Sequence, residues 1–346
     1  MPPRYSSPSY LDNWRWVYVF VFLSVLSLIA NRIIPAIVNP YYLQIAMYVG
    51  INTMMAVSLN LVTGIAGQFS LGHAGFMAVG AYVSAYFTYY HGRHWVDAMS
   101  THLLGWNQLF HDIPFLGSLL GTSDVSHVFP QALIFSFAIA ISGLSAALCG
   151  FIVGLPILRL RGDYLAIATL GFGEIIRVLI LNNEAVGGAR GFTNIPGYTN
   201  VFWLGLCSAC TMRVIYNLIY STKGLAFKAI REDEIAAEAM GVDTVKYKVG
   251  AFVIGAFFAG VAGCLLAHQV GYLHTNSFTF LRSIEIVVMV VLGGMGRIWG
   301  VAAAAAVLTL LPEILRVFSE FRMVIYSLIL IILMILRARK WTPRKA

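Results

Sequence analysis

Residues Val249–Gly271 read VGAFVIGAFFAGVAGCLLAHQVG, an apolar run with no acidic residue, lysine or arginine in it. A hydrocarbon core about 30 Å thick takes roughly 20 apolar residues to cross as a helix, so this run is long enough to span it. Comparable runs lie at 16–34, 40–62, 71–90, 129–157, 164–182, 201–220, 284–295, 298–318 and 323–337. With 249–271 they make ten, of which 284–295 is short for a crossing. The expected fold is therefore all-α: a polytopic helical membrane protein of about ten transmembrane segments. It forms a single membrane domain over residues 1–346, with spans between roughly 16 and 337.

Composition supports the same reading. The chain is 59% hydrophobic and 11% charged, whereas soluble domains carry about a quarter charged residues. An ordinary water-soluble enzyme is excluded, and so is a disordered chain, which would be polar. The net charge of +8 comes from 23 basic residues scattered between apolar runs. A nucleic-acid binder would cluster them on one face, so here they read as topology signals. If the spans alternate from a cytoplasmic N-terminus, Arg32, Arg93, Arg190, Arg282, Arg316 and Arg322 fall outside. Arg177 and Arg213 lie within spans, and the other basic residues fall inside. That asymmetry fits the positive-inside rule with both termini cytoplasmic. The first run follows Arg4 and Arg15 without a small-residue cleavage site and reads as an anchor.

Three connections stand out. Gly64–Gly72 carries no charge and reads as a tight hairpin or a broken, re-entrant stretch, since non-helical backbone at depth survives only beside protein or a watery cavity. The loop 91–128, outside on this alternation, holds His91, His94, His102, His111 and His127. His91 and His94 are more simply loop residues than metal ligands, and no metal site is expected. The cytoplasmic loop 221–248 is the one long charged segment. Its residues 226–240 are good helix formers, and Gly241 suits a helix stop. Ala229, Ala236, Ala237 and Met240 fall on one side at helical spacing. Residue types alone leave this helix equally a solvated connector or a surface for a partner's groove.

Within the apolar runs, polar residues are candidates for a pathway or for helix packing. Asn60, Gln68, Ser70 and His73 cluster among glycines. Thr169, Gly171 and Gly173 give span 164–182 a small, mildly polar strip that could border a pathway. Glu174 and Arg177 share a helix face at i,i+3 and read first as a structural ion pair, then as substrate recognition. Cys149, Cys207, Cys210 and Cys264 all lie in apolar runs and read as packing residues. The chain has no G-x-x-x-x-G-K-[ST] phosphate loop, no H-E-x-x-H zinc motif and no G-x-S-x-G elbow. It is not expected to hydrolyse ATP itself or to act as an enzyme.

Four collinear stretches, Ser58–Tyr82, Gly162–Asn183, Lys223–Gly241 and Ile284–Gly300, resemble the permease subunits of bacterial ABC importers for branched-chain amino acids, in particular the LivM type. The resemblance covers most of the chain from about residue 40 to 335. It implies an inner-membrane permease moving hydrophobic amino acids inward by alternating access. It also implies that the inside loop holds a coupling helix touching an ATPase through positions matching Glu234, Ala236, Ala237, Glu238 and Gly241. The implied partners are a second permease of LivH type, two ATPase subunits that bind the ATP and magnesium, and a periplasmic substrate-binding protein. No cofactor is implied for this chain. On this reading Asn60, Gln68, Ser70, His73, Thr169 and Glu174 border the substrate pathway. Val186–Pro196 departs from the family pattern around Arg190, and loop 91–128 is longer than the family core. Related permeases move urea, short amides or sugars, and an ion-coupled carrier using Glu174 and His73 is the alternative from another class.

Overall fold

The computed structural model describes residues 38–92, 125–157 and 163–318, with isolated positions outside these stretches. The described residues form helices and turns, with one isolated antiparallel bridge, Phe192 to Leu273, and no named strand. In chain order the helices are α1 (Pro40–Leu59), α2 (His73–Phe87), α3 (Val125–Ile157), α4 (Asp163–Leu181), α5 (Val201–Ile219), α6 (Thr222–Glu232), α7 (Glu234–Ala239), α8 (Thr244–Val270), α9 (Phe280–Gly293) and α10 (Ile298–Ile314). Wide π turns continue α1 through Asn60–Ile65 and α2 through Thr88–Gly92.

Among the described residues, six helical stretches are long and apolar enough to cross a membrane: Pro40–Ile65, Pro130–Ile157, Tyr164–Leu181, Val201–Ile219, Thr244–Val270 and Thr275–Gly293. They do not establish ten. Spans 16–34 and 323–337 fall outside the described residues apart from isolated positions. Helices α2 and α10 are shorter than a full crossing. The run expected at 284–295 is longer than its hydropathy suggested, because α9 starts at Phe280 and a 3-10 turn precedes it over Thr275–Phe278. The loop expected at 91–128 lies largely outside the described residues.

Helix α8 is the hub, packed on α1, α2 and α3. Its most apolar window is 72% buried, as is that of α1, against 22% for α4, so α1 and α8 form the centre and α4 the edge. Lipid tails are as apolar as leucine, so helices in a bilayer associate through close packing of small residues. Helix α8 does this with Gly260 and Gly263. A methyl group on Gly260 would stand 2.5 Å from the Ala146 side chain and 2.6 Å from the Ser142 carbonyl, and one on Gly263 would stand 2.1 Å from the Met77 carbonyl. The Ser142 hydroxyl donates to the Gly260 carbonyl at 2.9 Å, pinning α3 to the same point.

The connections gather at two ends of the bundle. At one end α6 meets the 64–72 segment through Arg231, and the α9–α10 turn meets Asn60 through Gly296. At the other, the Tyr90 hydroxyl donates to the Ala185 carbonyl at 3.3 Å, Phe192 pairs with Leu273, and Gln269 donates to the Gln44 carbonyl at 3.3 Å. Tyr41, Glu313 and Arg316 are bonded together at this second end.

Candidate functional site: the broken helix and its junction

The glycine-rich stretch is neither a surface hairpin nor a continuous helix. After the π turn, Ala66 N–H donates to the Leu61 carbonyl and Gln68 N–H to the Val62 carbonyl, both at 3.0 Å, and the helix ends. Gly67 then turns the chain at φ +73°, and the backbone runs without helical bonds to Gly72. This stretch climbs into the bundle. His73, which opens α2, lies beside Gly255, and a methyl on that glycine would stand 3.7 Å from the imidazole. Gly255 is well inside α8, roughly 17 Å from its first residue at 1.5 Å per residue. Helix α2 therefore starts deep inside the protein, which is why it is short.

A helix beginning there has N–H groups that water cannot reach, and Gly72 offers no capping side chain. Neighbouring helices supply the acceptors. Leu71 N–H donates to the Thr169 hydroxyl of α4, and Ala74 N–H to the Ser283 hydroxyl of α9, both at 3.0 Å. The Ser58 hydroxyl donates to the Met55 carbonyl at 2.9 Å, so its contact with His73 Nε2 at 2.8 Å makes the imidazole the donor. His73 is thus held at Ser58 and packs edge-on against Phe76.

Four buried polar residues of this stretch carry atoms with no hydrogen-bond partner among the described residues. They are Asn60 Nδ2, Thr63 Oγ1, both amide atoms of Gln68, and Ser70 Oγ. Leaving one such group unpaired costs about 1–3 kcal/mol, so a cluster beside non-helical backbone marks a place for water or a passing polar group. Asn60 is held by its other atom, Oδ1, which accepts from Gly296 N–H at 2.8 Å.

The cytoplasmic-loop helix expected over 226–240 is two helices. Ser221 caps α6, accepting from Gly224 N–H at 3.3 Å. Asp233 is extended, at φ −154° and ψ 109°, and its Oδ1 accepts from Ile235 and Ala236 N–H at 2.9 and 3.0 Å. The carboxylate thus ends one helix and caps the next, outweighing the helix propensity around it. Gly241, at φ +84°, closes α7: Val242 N–H reaches the Ala237 carbonyl and Gly241 N–H the Glu238 carbonyl. No atom lies within 4 Å of a methyl on Gly241, so strain alone decides there. Gly241→Ala is expected to destabilise the turn by about 1 kcal/mol, a shift of a few degrees in the melting of purified protein.

From α6 one side chain reaches the broken helix. Arg231 Nη1 donates to the Gly64 carbonyl at 2.9 Å, while Nη2 and Nε hold Glu232 at 2.5 and 3.1 Å. Glycines clear its path: a methyl on Gly67 would stand 2.9 Å from the arginine Cγ, and one on Gly296 would stand 3.2 Å from Nη1. The four stretches Ser58–Tyr82, Gly162–Asn183, Lys223–Gly241 and Ile284–Gly300 thus meet at one junction.

A family model described as "Branched-chain amino acid transport system / permease component" matches residues 41–337. The chain belongs to this family. It is 34% identical to the high-affinity branched-chain amino acid transport system permease protein LivM of Escherichia coli, over 89% of this chain and 72% of that protein. It is 25% identical to the probable LivM of Methanocaldococcus jannaschii, over 80% of this chain and 81% of that protein. The permease protein LivH of Salmonella typhimurium is 23% identical, over 86% of this chain and 94% of that protein. No solved structure matches.

In this permease the sequence-derived candidates separate into groups. Asn60, Gln68, Ser70, His73 and Thr169 belong to the junction. Glu174 stands apart from them in the bonding, paired with Arg177 at 2.6 Å, as its i,i+3 spacing suggested. In α7 Ala236 and Glu238 are exposed, as is Gly241 just after it, but Ala237 is 5% exposed and faces the protein itself. Glu234 reaches back to Lys248 at 2.6 Å. The outward apolar groups of α7 and its end are Ile235 and Met240, at 69% and 84% exposure. Arg190 is exposed in a turn held by the Phe192–Leu273 bridge. Sequence reasoning missed Arg231 and Ser283, each of which bonds a remote backbone group, the Gly64 carbonyl and the Ala74 N–H, that leaves no local signature.

Proposed function

We propose that the chain is the LivM-type permease subunit of an ABC importer, carrying branched-chain amino acids into the cytoplasm by alternating access. The observation that carries this reading is the junction, where a short surface helix pair outside the bundle is tied through Arg231 to a break in a central helix. That geometry suits a device in which force from outside the membrane moves a segment bordering a pathway. The junction end carries Lys223, Lys228, Arg231, Lys246, Lys248 and Arg297, while the opposite end carries Arg190, Arg282 and Arg316. By the positive-inside rule this asymmetry supports a cytoplasmic junction; about ten crossings of a bacterial inner membrane, with both termini inside, belong to the same proposal.

The partners on this reading are a LivH-type second permease, two cytoplasmic ATPases binding ATP and magnesium, and a periplasmic binding protein. The chain itself contributes no catalysis and no cofactor site. Ile235, Ala236, Glu238 and Met240 form the surface for an ATPase groove, with Glu234, Ala237 and Gly241 shaping it from behind. Asn60, Thr63, Gln68 and Ser70 offer neutral polar groups to a passing zwitterion or its water.

The test is reconstitution with the ATPases and the second permease. Ala236→Arg and Met240→Glu are expected to weaken ATPase association by about tenfold or more, as for loss of a buried apolar contact, and to lower leucine uptake in proportion. Unchanged association and uptake in both variants would remove the coupling role from α7. Uptake that follows an ion gradient without ATPases would instead favour a secondary carrier. Competition among leucine, urea and ribose identifies the substrate class.

A further inference from the structure

At the end of the bundle opposite the junction, a cavity of about 670 Å3 opens between α1, α9, α10 and the segment after α8. We propose that it is a low-affinity dwelling site for a zwitterionic amino acid, with Arg282 holding the α-carboxylate and Glu285 the ammonium group. This rests on the reading of the chain as an amino-acid permease and names the chemistry of the substrate it receives. The cavity size is within the range of small-molecule sites.

Its polar side is built around the guanidinium. Asn52 is 4% exposed, and its Oδ1 accepts from Arg282 Nη2 at 2.6 Å. The Asn52 amide donates to Thr309 Oγ1 at 2.9 Å, and that hydroxyl donates to the Ala305 carbonyl at 2.7 Å. This chain from α9 through α1 to α10 fixes the arginine from behind. Arg282 Nη1 holds Glu285 at 2.8 Å, and Glu285 is half exposed. A guanidinium has five N–H groups in a planar fork, so capacity remains for a carboxylate. Glu285 likewise presents a second oxygen to an ammonium group.

The other wall is apolar: Ile45, Leu266, Met289 and Leu308 line it, with Tyr48. A cation and a carboxylate side by side above an aliphatic wall match an amino acid with a branched apolar side chain. Glu313, which also lines the cavity, is paired with Arg316, so among the described residues these charges balance, which suits a ligand of no net charge. Urea and sugars have no ionised groups for this pair to meet. Since Arg282 and Glu285 already neutralise one another, each attracts a zwitterion's opposite charge less than a lone ion would, so binding is weak and release is easy.

The experiment uses the complete importer in proteoliposomes. R282Q is expected to lower leucine uptake by about tenfold or more, the effect of losing a charge-assisted hydrogen bond, with copurification of the second permease retained. E285Q, at the more exposed position, is expected to lower uptake several-fold. The exchange R282E/E285R keeps an ion pair but reverses its polarity, so uptake stays low if the pair serves a ligand. Restored uptake in the exchange, or wild-type uptake in E285Q or R282Q, overturns the site and leaves a structural ion pair. A wild-type importer that does not concentrate leucine, isoleucine or valine overturns the function reading instead.

Discussion

Arg231→Ala is expected to lower transport by one to two orders of magnitude while the ATPases remain bound. The guanidinium donates to the Gly64 carbonyl at 2.9 Å, and its stem passes against Gly67. It is the link from α6 to the end of the π turn. A hydrogen bond from a charged group is worth about 1.5–3 kcal/mol, which corresponds to roughly 10–100-fold in an equilibrium or rate. Removing it leaves Ile235 and Met240 in place, 69% and 84% exposed, so the surface proposed for an ATPase survives. The expected signature is therefore uncoupling, with ATP hydrolysis continuing and little uptake. Arg231→Lys keeps the charge but loses the fork that holds Gly64 and Glu232 together, and should recover uptake only in part. Parallel assays of ATP hydrolysis, leucine uptake and ATPase copurification check this. Loss of ATPase binding in Arg231→Ala, or normal uptake, would contradict the link.

Much of the scaffold was legible because its cause is local. Val249–Gly271 is apolar along its whole length, and a central membrane helix needs no polar face, so α8 could be read directly. The i,i+3 pairing of Glu174 with Arg177 was legible for the same reason. The break in loop 221–248 was not. Ala229–Glu238 is rich in helix formers, and the interruption depends on which backbone N–H groups the Asp233 carboxylate captures. That break also changed which residues face outward. Ala236 and Ala237 looked equivalent on one continuous helix, yet only Ala236 is exposed.

The junction was half legible. Polar side chains among glycines pointed to Asn60, Gln68 and Ser70, and the absence of charge pointed to an irregular segment. The caps of α2 come from Thr169 and Ser283, distant in sequence and conventional in appearance. Arg231 looks no different from Lys228 in a charged run. Only the positions of Gly64, Gly67 and Gly296 around its side chain distinguish it, and these lie in two other segments.

Two glycines that the sequence treats alike are expected to respond oppositely to substitution. Gly72 and Gly171 both lie in small-residue strips of apolar segments. A methyl group on Gly72 would stand 2.3 Å from the Thr169 carbonyl oxygen and 3.0 Å from its carbon, whereas one on Gly171 meets nothing within 4 Å. The Thr169 atoms are backbone of α4 and cannot rotate away. Gly72→Val must push α4 from the start of α2, which breaks the Leu71–Thr169 bond and strains the Ala74–Ser283 bond. Overpacking of this kind costs about 1–3 kcal/mol, and each buried donor left without an acceptor adds about 1–3 kcal/mol. The sum is a large share of the 5–15 kcal/mol typical of a folded domain. Gly72→Val should therefore leave little folded permease in the membrane, with a strongly lowered melting temperature in what is recovered. Gly171→Ala, on an exposed helical face, should leave the level unchanged or raise it slightly, since alanine is the better helix former. Comparing folded yield and detergent-solubilised melting for these two variants, with Gly171→Val as the size-matched control, is decisive, because only Gly72 has the backbone of another helix opposite it. Equal tolerance of both would mean that α2 does not begin against α4 in the membrane.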